Sequence, residues 1–315
     1  MAEKKINDLV SVIIPAYNAE LTIEKTLVSV FEQTYENIEI IVINDGSTDD
    51  TLKILRAFDE KIKIISTPNQ GVSNARTLGT ENSKGAYIQF LDADDLLDKH
   101  KINVQISALK QHDADIAYGD WQKFVIEDGE MRITEMIKRR LSDSVAVNIF
   151  SDFWCPPAVL LFSRKIISVI QWNKNLPVIQ DARYLLDAAL SNGIFTYTPG
   201  IMASYRIGQR NSLSTKNNLA FVKDCFVNAQ EIYDYWNKES AIKKEEKHAI
   251  VRCVRYCINE FRYLDRKLQN KAIDFLLKIS PNYIPEEKGS LRILSSILGY
   301  KNAEKVAMLK RRLIG

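Results

Sequence analysis

Five short apolar runs recur through the first 120 residues: VSVIIP (10–15), IEIIVIN (38–44), KIKIIS (61–66), AYIQFL (86–91) and DIAYGD (115–120). The first four are each followed by a segment of helical character, over 19–33, 48–58, 72–82 and 99–112. In 19–33, for example, Leu21, Ile23, Leu27, Val30 and Phe31 recur at helical spacing. Strands this apolar need cover on both faces, which a largely parallel sheet with crossover helices supplies. Right-handed crossovers then place the strand C-termini along one edge, where open α/β sheets bind ligands. The expected fold class is α/β: a Rossmann-like, mostly parallel sheet with helices on both faces.

Past residue 120 the order loosens. WQKFVIEDGEMRIT reads as a hairpin turning at Asp128-Gly129. WCPPAVLLFSRKIISVI reads as a loop, a buried segment and a helix; 180–191 is a further helix, and IFTY and IMASYR are short strands. After about 215 the pattern becomes helical, over 217–236, 241–263, 266–279 and 302–313. The expected organisation is one α/β domain over 1–215, with a first half to about 120 and a second over 121–215, then a helical region over 216–315.

Composition narrows the function classes. A chain of 315 residues with a net charge of +3 lacks the concentrated basic face of a nucleic-acid binder. MAEKKINDLV holds no apolar h-region, and no run approaches the ~20 apolar residues of a membrane span, so a cytoplasmic address is expected. The four cysteines form no CxxC pair; His248, Cys253 and Cys257 could share a helix stripe but lack a fourth metal ligand.

The chemistry gathers at three strand ends: PAYN (15–18), NDGSTDD (44–50) and DADD (92–95). In FLDADDLLD four carboxylates crowd the end of an apolar strand, where they repel one another unless a cation is present. Asp92 and Asp94 are two apart and face one side of an extended segment. Oxygen donors in small number suit Mg²⁺ or Mn²⁺, leaving coordination positions for phosphates. Asp98 reads as a cap for the following helix. In NDGSTDD, Asp45-Gly46 makes a turn, Ser47 or Thr48 caps, and Asp49 and Asp50 suit the helix dipole. Asp45, at the strand terminus, could also accept hydrogen bonds from a nucleobase or ribose.

VSVIIPAYNAELTIEKTLVSVFEQTYENIEIIVINDGSTDDT, followed by NQGVSNARTLGTENSKGAYIQFLDADD, resembles the inverting family-2 glycosyltransferases of GT-A fold. The resemblance covers most of residues 10–120. It implies Pro15, Tyr17, Asn18 and Asp45 around a uridine-type nucleoside, and Arg76 on the nucleotide. It places the DXD motif on Asp92, Ala93 and Asp94, with Asp94 the direct metal ligand and Asp92 nearer the ribose. The acidic pair that opens a helix in this family falls on LPVIQDARYLLDAAL, making Asp181 the catalytic base while Gln180 stands where Glu is usual. A carboxylate in a helix's first turn can take a proton from an acceptor hydroxyl. YRIGQRNSLS resembles the loop that closes over the diphosphate, with Gly208 and Gln209 where many relatives carry His; Arg206 or Arg210 could supply the positive charge.

The implied enzyme is a metal-assisted glycosyltransferase of hexosyl type, taking a nucleotide-diphospho-sugar, a UDP-sugar first, to a glycan or lipid-linked acceptor. The acceptor is expected beside WCPPAVLLF (154–162), with Trp154 itself read as buried. The absence of QxxRW after residue 181 argues against a processive synthase. A noncatalytic nucleotide-sugar-binding or scaffolding protein is the alternative. A nucleotidyltransferase would need a glycine-rich loop where this chain has PAYNAE. The basic C-terminus, YKNAEKVAMLKRRLIG, reads as a solvated helix end, with peripheral contact to the inner face of an anionic membrane as the alternative.

Overall fold

A computed structural model of the protein describes residues 8–208, 218–239 and 241–314. The chain divides into two compact units, Met1–Ser212 and Leu213–Gly315.

The first unit is built on a nine-stranded mixed sheet: β1 (Val10–Ala16), β2 (Ile38–Asp45), β3 (Lys63–Thr67), β4 (Tyr87–Phe90), β5 (Leu96–Leu97), β6 (Ile116–Glu127), β7 (Glu130–Ile137), β8 (Leu161–Ser163) and β9 (Phe195–Arg206). Its order is β3-β2-β1-β4-β8-β6-β9-β5, with β7 paired to β6. Strands β1 to β4 are mutually parallel where they pair, and β6 runs parallel to β9; β8, β5 and β7 join antiparallel. Every residue of β1 is buried, which is why VSVIIP shows no polar alternation. Its one interior hydroxyl is satisfied: Ser11 donates to Glu39 and accepts the Gly85 N–H.

The helices of this unit are α1 (Ile23–Phe31), α2 (Thr51–Arg56), α3 (Val72–Glu81), α4 (Lys101–Gln111), α5 (Val145–Ser151), α6 (Arg164–Ile167) and α7 (Gln180–Leu190). Two strand expectations change. The segments read as a strand over 115–120 and a separate hairpin arm are one strand, β6, and IFTY and IMASYR are likewise one strand, β9. Pairing between β6 and β9 continues past register shifts at Gly119–Trp121, which the sequence presents as a break. The Asp128-Gly129 turn has φ of 52° and 83°, as a two-residue hairpin requires.

Between β7 and α7, the segment 154–162 is pinned from below by three buried polar side chains. Gln89 donates to the Pro157 and Ala158 carbonyls, Gln105 to Val159, and Lys101 Nζ to Leu160 at 2.9 Å.

The second unit is helical: α8 (Asn218–Glu239), α9 (Lys244–Leu264), α10 (Arg266–Ile279), α11 (Ser290–Leu298) and α12 (Tyr300–Ile314). Phe226 meets Phe261 and Phe275 edge-on in its core. Asp265 caps α10 by accepting the Lys267 and Leu268 N–H groups. Glu304 is buried between Arg255 and Arg262, joining α9 to α12. The Cys253 and Cys257 thiols face the Cys225 and Val222 carbonyls, and no metal-holding cluster of His, Cys, Asp or Glu occurs among the described residues. No helix of the described residues is long and apolar enough to cross a membrane.

Candidate active site

Parallel pairing of β1 with β2 and β4 puts three strand C-termini on one edge: Ala16 lies beside Asn44, and Ile13 beside Phe90 with Leu91 donating to the Ile13 carbonyl. Two constellations form there.

The first joins PAYN to NDGSTDD. Asn18 takes a positive φ of 49°, accepts the Thr48 N–H on its side-chain oxygen at 2.8 Å, and donates its own N–H to Ser47. Ser47 and Thr48 are thus used on the neighbouring loop instead of capping α2. Asp49 does the helix-opening work, accepting the Thr51 N–H and hydroxyl on one oxygen and the Glu20 N–H on the other. Asp45 is buried. Its oxygens accept the Gln70 N–H at 2.8 Å, the Gly71 N–H at 2.9 Å and the Thr67 hydroxyl at 3.4 Å. Those bonds occupy three of its roughly four acceptor positions. Pro15 is buried at the end of β1 and Tyr17 is exposed beside it.

The second constellation is the acid turn and what surrounds it. Arg76, buried in α3, donates to Asp92 Oδ1 and, through Nη1, to Gln180 Oε1 at 2.5 Å. Its guanidinium lies 4.6 Å from the ring centre of Trp172, which stacks in parallel on Tyr184 at 3.9 Å. The neutral Gln180 therefore fills the place beside Arg76 as a hydrogen-bond acceptor without neutralising its charge.

Asp95 is fully buried; one oxygen accepts the Arg206 N–H at 2.9 Å and the other has no hydrogen-bond donor. Burial, then the charges of Asp94 and Asp92, push its carboxyl well above the usual carboxylate range. Ala93 is buried between the two DXD acids. The acid turn is followed by β5, whose Leu96 and Leu97 pair with Ser204 and Ala203 of β9. Asp98, expected as the cap of α4, lies two residues ahead of the N-cap position His100 and accepts the His100 N–H at 2.9 Å.

Asp181 stands in the first turn of α7, next to Gln180. Its Oδ2 accepts the Trp154 indole N–H at 3.0 Å and its Oδ1 the Ala182 N–H at 2.8 Å. Burial raises its carboxyl above the ordinary range; Arg76 and these hydrogen bonds pull the other way. Trp154 is half-buried, not buried. It meets Trp121 and Tyr205 edge-on, and Trp121 and Tyr205 meet each other the same way. Burial first, then Asp95, Asp92, Asp181 and Asp94, hold the Tyr205 hydroxyl protonated, which places that ring among the same acids.

The structure therefore brings Arg76, Asp92, Asp94 and Asp181 into one electrostatic neighbourhood, and Arg206 to it through its backbone. Asp45 and Asn18 belong to the adjoining constellation, linked to the first through α3. Arg183 pairs with Asp187 on its own helix at 2.7 Å. Arg210 lies outside the described residues. Asp95, Trp172 and Tyr205 had no assigned role from sequence, and the tie between Arg76 and Gln180 spans 104 positions with no local signal.

The donor set suits a hard divalent cation. Asp92 and Asp94 supply oxygen alone, and repulsion within the acid turn, together with the orphaned Asp95 oxygen, marks a place that positive charge would relieve. No three of the described acids already converge as a complete metal cage. Two carboxylates completed by phosphate oxygens are what Mg²⁺ commonly takes.

Comparison with known proteins follows the same division. The model of the family "Glycosyl transferase family 2" matches residues 11–168. Glycosyltransferase GlyA of Streptococcus pneumoniae is 39% identical over 127 residues, 39% of this chain and 18% of GlyA. The Escherichia coli protein WfgD, a UDP-Glc:α-D-GlcNAc-diphosphoundecaprenol β-1,3-glucosyltransferase, is 38% identical over 116 residues, 36% of this chain and 46% of WfgD. The matches thus span less than half the length of either relative. Among solved structures, residues 1–349 of S. aureus TarS with UDP-GlcNAc align with a TM-score of 0.66 at 17% identity, over 96% of this chain and 92% of that one. The mannosyltransferase PcManGT of Pyrobaculum calidifontis, with GDP-Man and Mn²⁺, aligns at 0.54 and 14% identity, over 99% and 86%. These two likenesses establish the GT-A fold.

Proposed function

This chain belongs to glycosyl transferase family 2, and we propose that it transfers a sugar from a nucleoside-diphosphate sugar to a hydroxyl group of a glycan or lipid-linked glycan, inverting the anomeric carbon. The carrying observation is the buried Arg76 bridge, which fastens Asp92 of the acid turn to Gln180, the residue before Asp181. Donor-side acids and the base are thereby held in one place.

In this reading Pro15, Tyr17, Asn18 and Asp45 receive the nucleoside. The acceptor position left on Asp45 suits an imide N–H, which favours uridine. Asp94 and Asp92 would hold Mn²⁺ or Mg²⁺, whose contribution when bound is to neutralise charge on the departing diphosphate. Arg76 orients Asp92, and Arg206 and Arg210 lie on the segment assigned to the diphosphate. Asp181 takes the proton of the acceptor hydroxyl. The acceptor oxygen then bonds the anomeric carbon on the face opposite the breaking C–O bond, so one displacement inverts that centre. Trp154, half-buried beside Asp181 and backed by Trp121 and Tyr205, offers an aromatic surface for an acceptor sugar. The names of TarS, PcManGT and WfgD, with their nucleotide sugars, manganese and diphosphoundecaprenol acceptor, support these assignments by analogy.

The test is a donor panel. UDP-, GDP- and dTDP-sugars are titrated with and without Mn²⁺ against the wild type and Asp94→Asn. One donor class should bind in a metal-dependent manner and lose that dependence in the variant. Binding of no donor, or an Asp94→Asn affinity unchanged under both conditions, overturns the proposal.

A further inference from the structure

Helix α11 half-buries Leu291 and Leu294 but turns the rest of its aliphatic residues outward. Its sequence, SLRILSSIL, carries five large aliphatic residues, yet the side chain it buries is Ser295, while Ile293 and Ile297 stand 63% and 72% exposed and Leu298 is also open to solvent. A soluble amphipathic helix turns its apolar stripe toward the core. Ile293 and Ile297, four residues apart, share one face. The following helix, α12, packs against α11 and exposes Val306 and Leu309, three apart on their own face.

The charge along α11 and α12 is predominantly basic, with Glu286 and Glu287 exposed ahead of it and Lys301 paired with Asp274. From residue 288 to residue 310 the exposed charged groups are Lys288, Arg292, Lys301, Lys305 and Lys310. The acid of that stretch, Glu304, is buried between Arg255 and Arg262 and shows no charge to the outside. Arg311 and Arg312 continue the bias in sequence. Exposed aliphatic residues fringed by cations combine the two signals that stable binding at a bilayer interface needs.

We propose that α11 and α12 form a docking surface for an anionic lipid bilayer, with Ile293, Ile297, Leu298, Val306 and Leu309 entering the headgroup–acyl boundary and the basic residues meeting lipid phosphates. A second copy of the chain on the same face would set basic residues against basic residues, so charge selects lipid over self-association. The proposal concerns the second unit alone and stands apart from the catalytic reading.

Co-sedimentation of the full chain with vesicles tests it. Binding is expected to phosphatidylcholine–phosphatidylglycerol vesicles and not to phosphatidylcholine alone, and to weaken with added salt. It should fall by about tenfold or more in Ile293→Asp/Ile297→Asp and in Lys305→Glu/Lys310→Glu. All four positions are exposed, so melting temperature and nucleotide-sugar binding should stay at wild-type values in both variants. The idea fails if anionic vesicles capture no protein, if neutral vesicles capture as much, or if both variants bind like wild type. A concentration-dependent dimer abolished by the isoleucine substitutions would overturn it in favour of a second copy as the occupant.

Discussion

Trp154 donates its indole N–H to Oδ2 of Asp181 at 3.0 Å, from a segment that precedes the helix carrying the acid. With the Ala182 N–H on Oδ1, both carboxylate oxygens are engaged by donors. Donors favour the charged form while burial disfavours it. The outcome is a carboxylate that is oriented and more basic than one in water.

Replacing Asp181 by Asn keeps the shape and one of the two accepted hydrogen bonds but removes the proton acceptor. Transfer to acceptor should fall by roughly 10²–10⁴-fold, the range a positioned base supplies. Metal-dependent donor binding, read by calorimetry, should remain. An Asn variant with wild-type turnover would remove Asp181 from the role of base, and a wild type that binds donor yet transfers no sugar would convert the reading to a noncatalytic binding protein.

The rate–pH profile should carry its acidic limb above the ordinary carboxylate range, because Asp181 must be ionised to act and burial raises its pKa. Trp154→Phe deletes a hydrogen bond to the charged form and therefore moves that limb to higher pH. Activity should drop most at low pH and recover toward wild type as pH rises. A limb that stays in place, or moves down, assigns the limb to another group.

Gly46 has φ of +74°, and a Cβ there would lie 2.6 Å from the Asn69 backbone nitrogen. Gly46→Ala meets both a left-handed backbone and a contact that no side-chain rotation relieves. A loss of roughly 2–4 kcal/mol is expected by denaturant unfolding. Gly129→Ala is the comparison. It shares a positive φ but its Cβ meets nothing, so it should cost only about 1 kcal/mol.

Lys101 is fully buried, and its Nζ donates to the Leu160 carbonyl. Burial holds its pKa well below 10.5. Between the folded pKa and 10.5 the unfolded chain binds more protons, so this residue makes stability rise with pH through that window. Lys101→Met removes the slope. Melting curves from neutral to alkaline pH should show the variant gaining most relative to wild type at the lower end and converging at the upper end. Parallel curves would mean that Lys101 keeps the same proton affinity on unfolding.

The sheet edge was legible because apolar runs ending in PAYN, NDGSTDD and DADD encode strand and terminus together, and parallel pairing does the rest. The helix N-terminus at Gln180-Asp181 was legible for a similar reason: an acid opens an amphipathic stretch. The partners were not. Which polar atom Arg76 meets depends on how α3 and α7 approach, and residue spacing does not record that. Trp154 stands beside Pro156 and Pro157, which stiffen the chain without deciding which way an indole faces. The Gly119-Asp120 irregularity hid the continuity of β6, since a shifted ladder and a chain break look alike in one dimension. Helix α11 is not legible because its aliphatic residues divide between half-buried Leu291 and Leu294 and exposed Ile293, Ile297 and Leu298, so no single inward stripe marks it.

The carboxylate of Asp45 grips the amides of Gln70 and Gly71, immediately ahead of α3, and Arg76 sits five residues beyond Gly71. Over that span a helix is a stiff rod of roughly 7–8 Å. The guanidinium at the far end is in turn fixed by Asp92, Gln180 and the Trp172 ring. The Asp45 grip and the Arg76 bridge thus stand at the two ends of one short helical span, so on the proposed function a nucleoside seated against Asp45 would touch the same stiff piece of chain that orients Asp92.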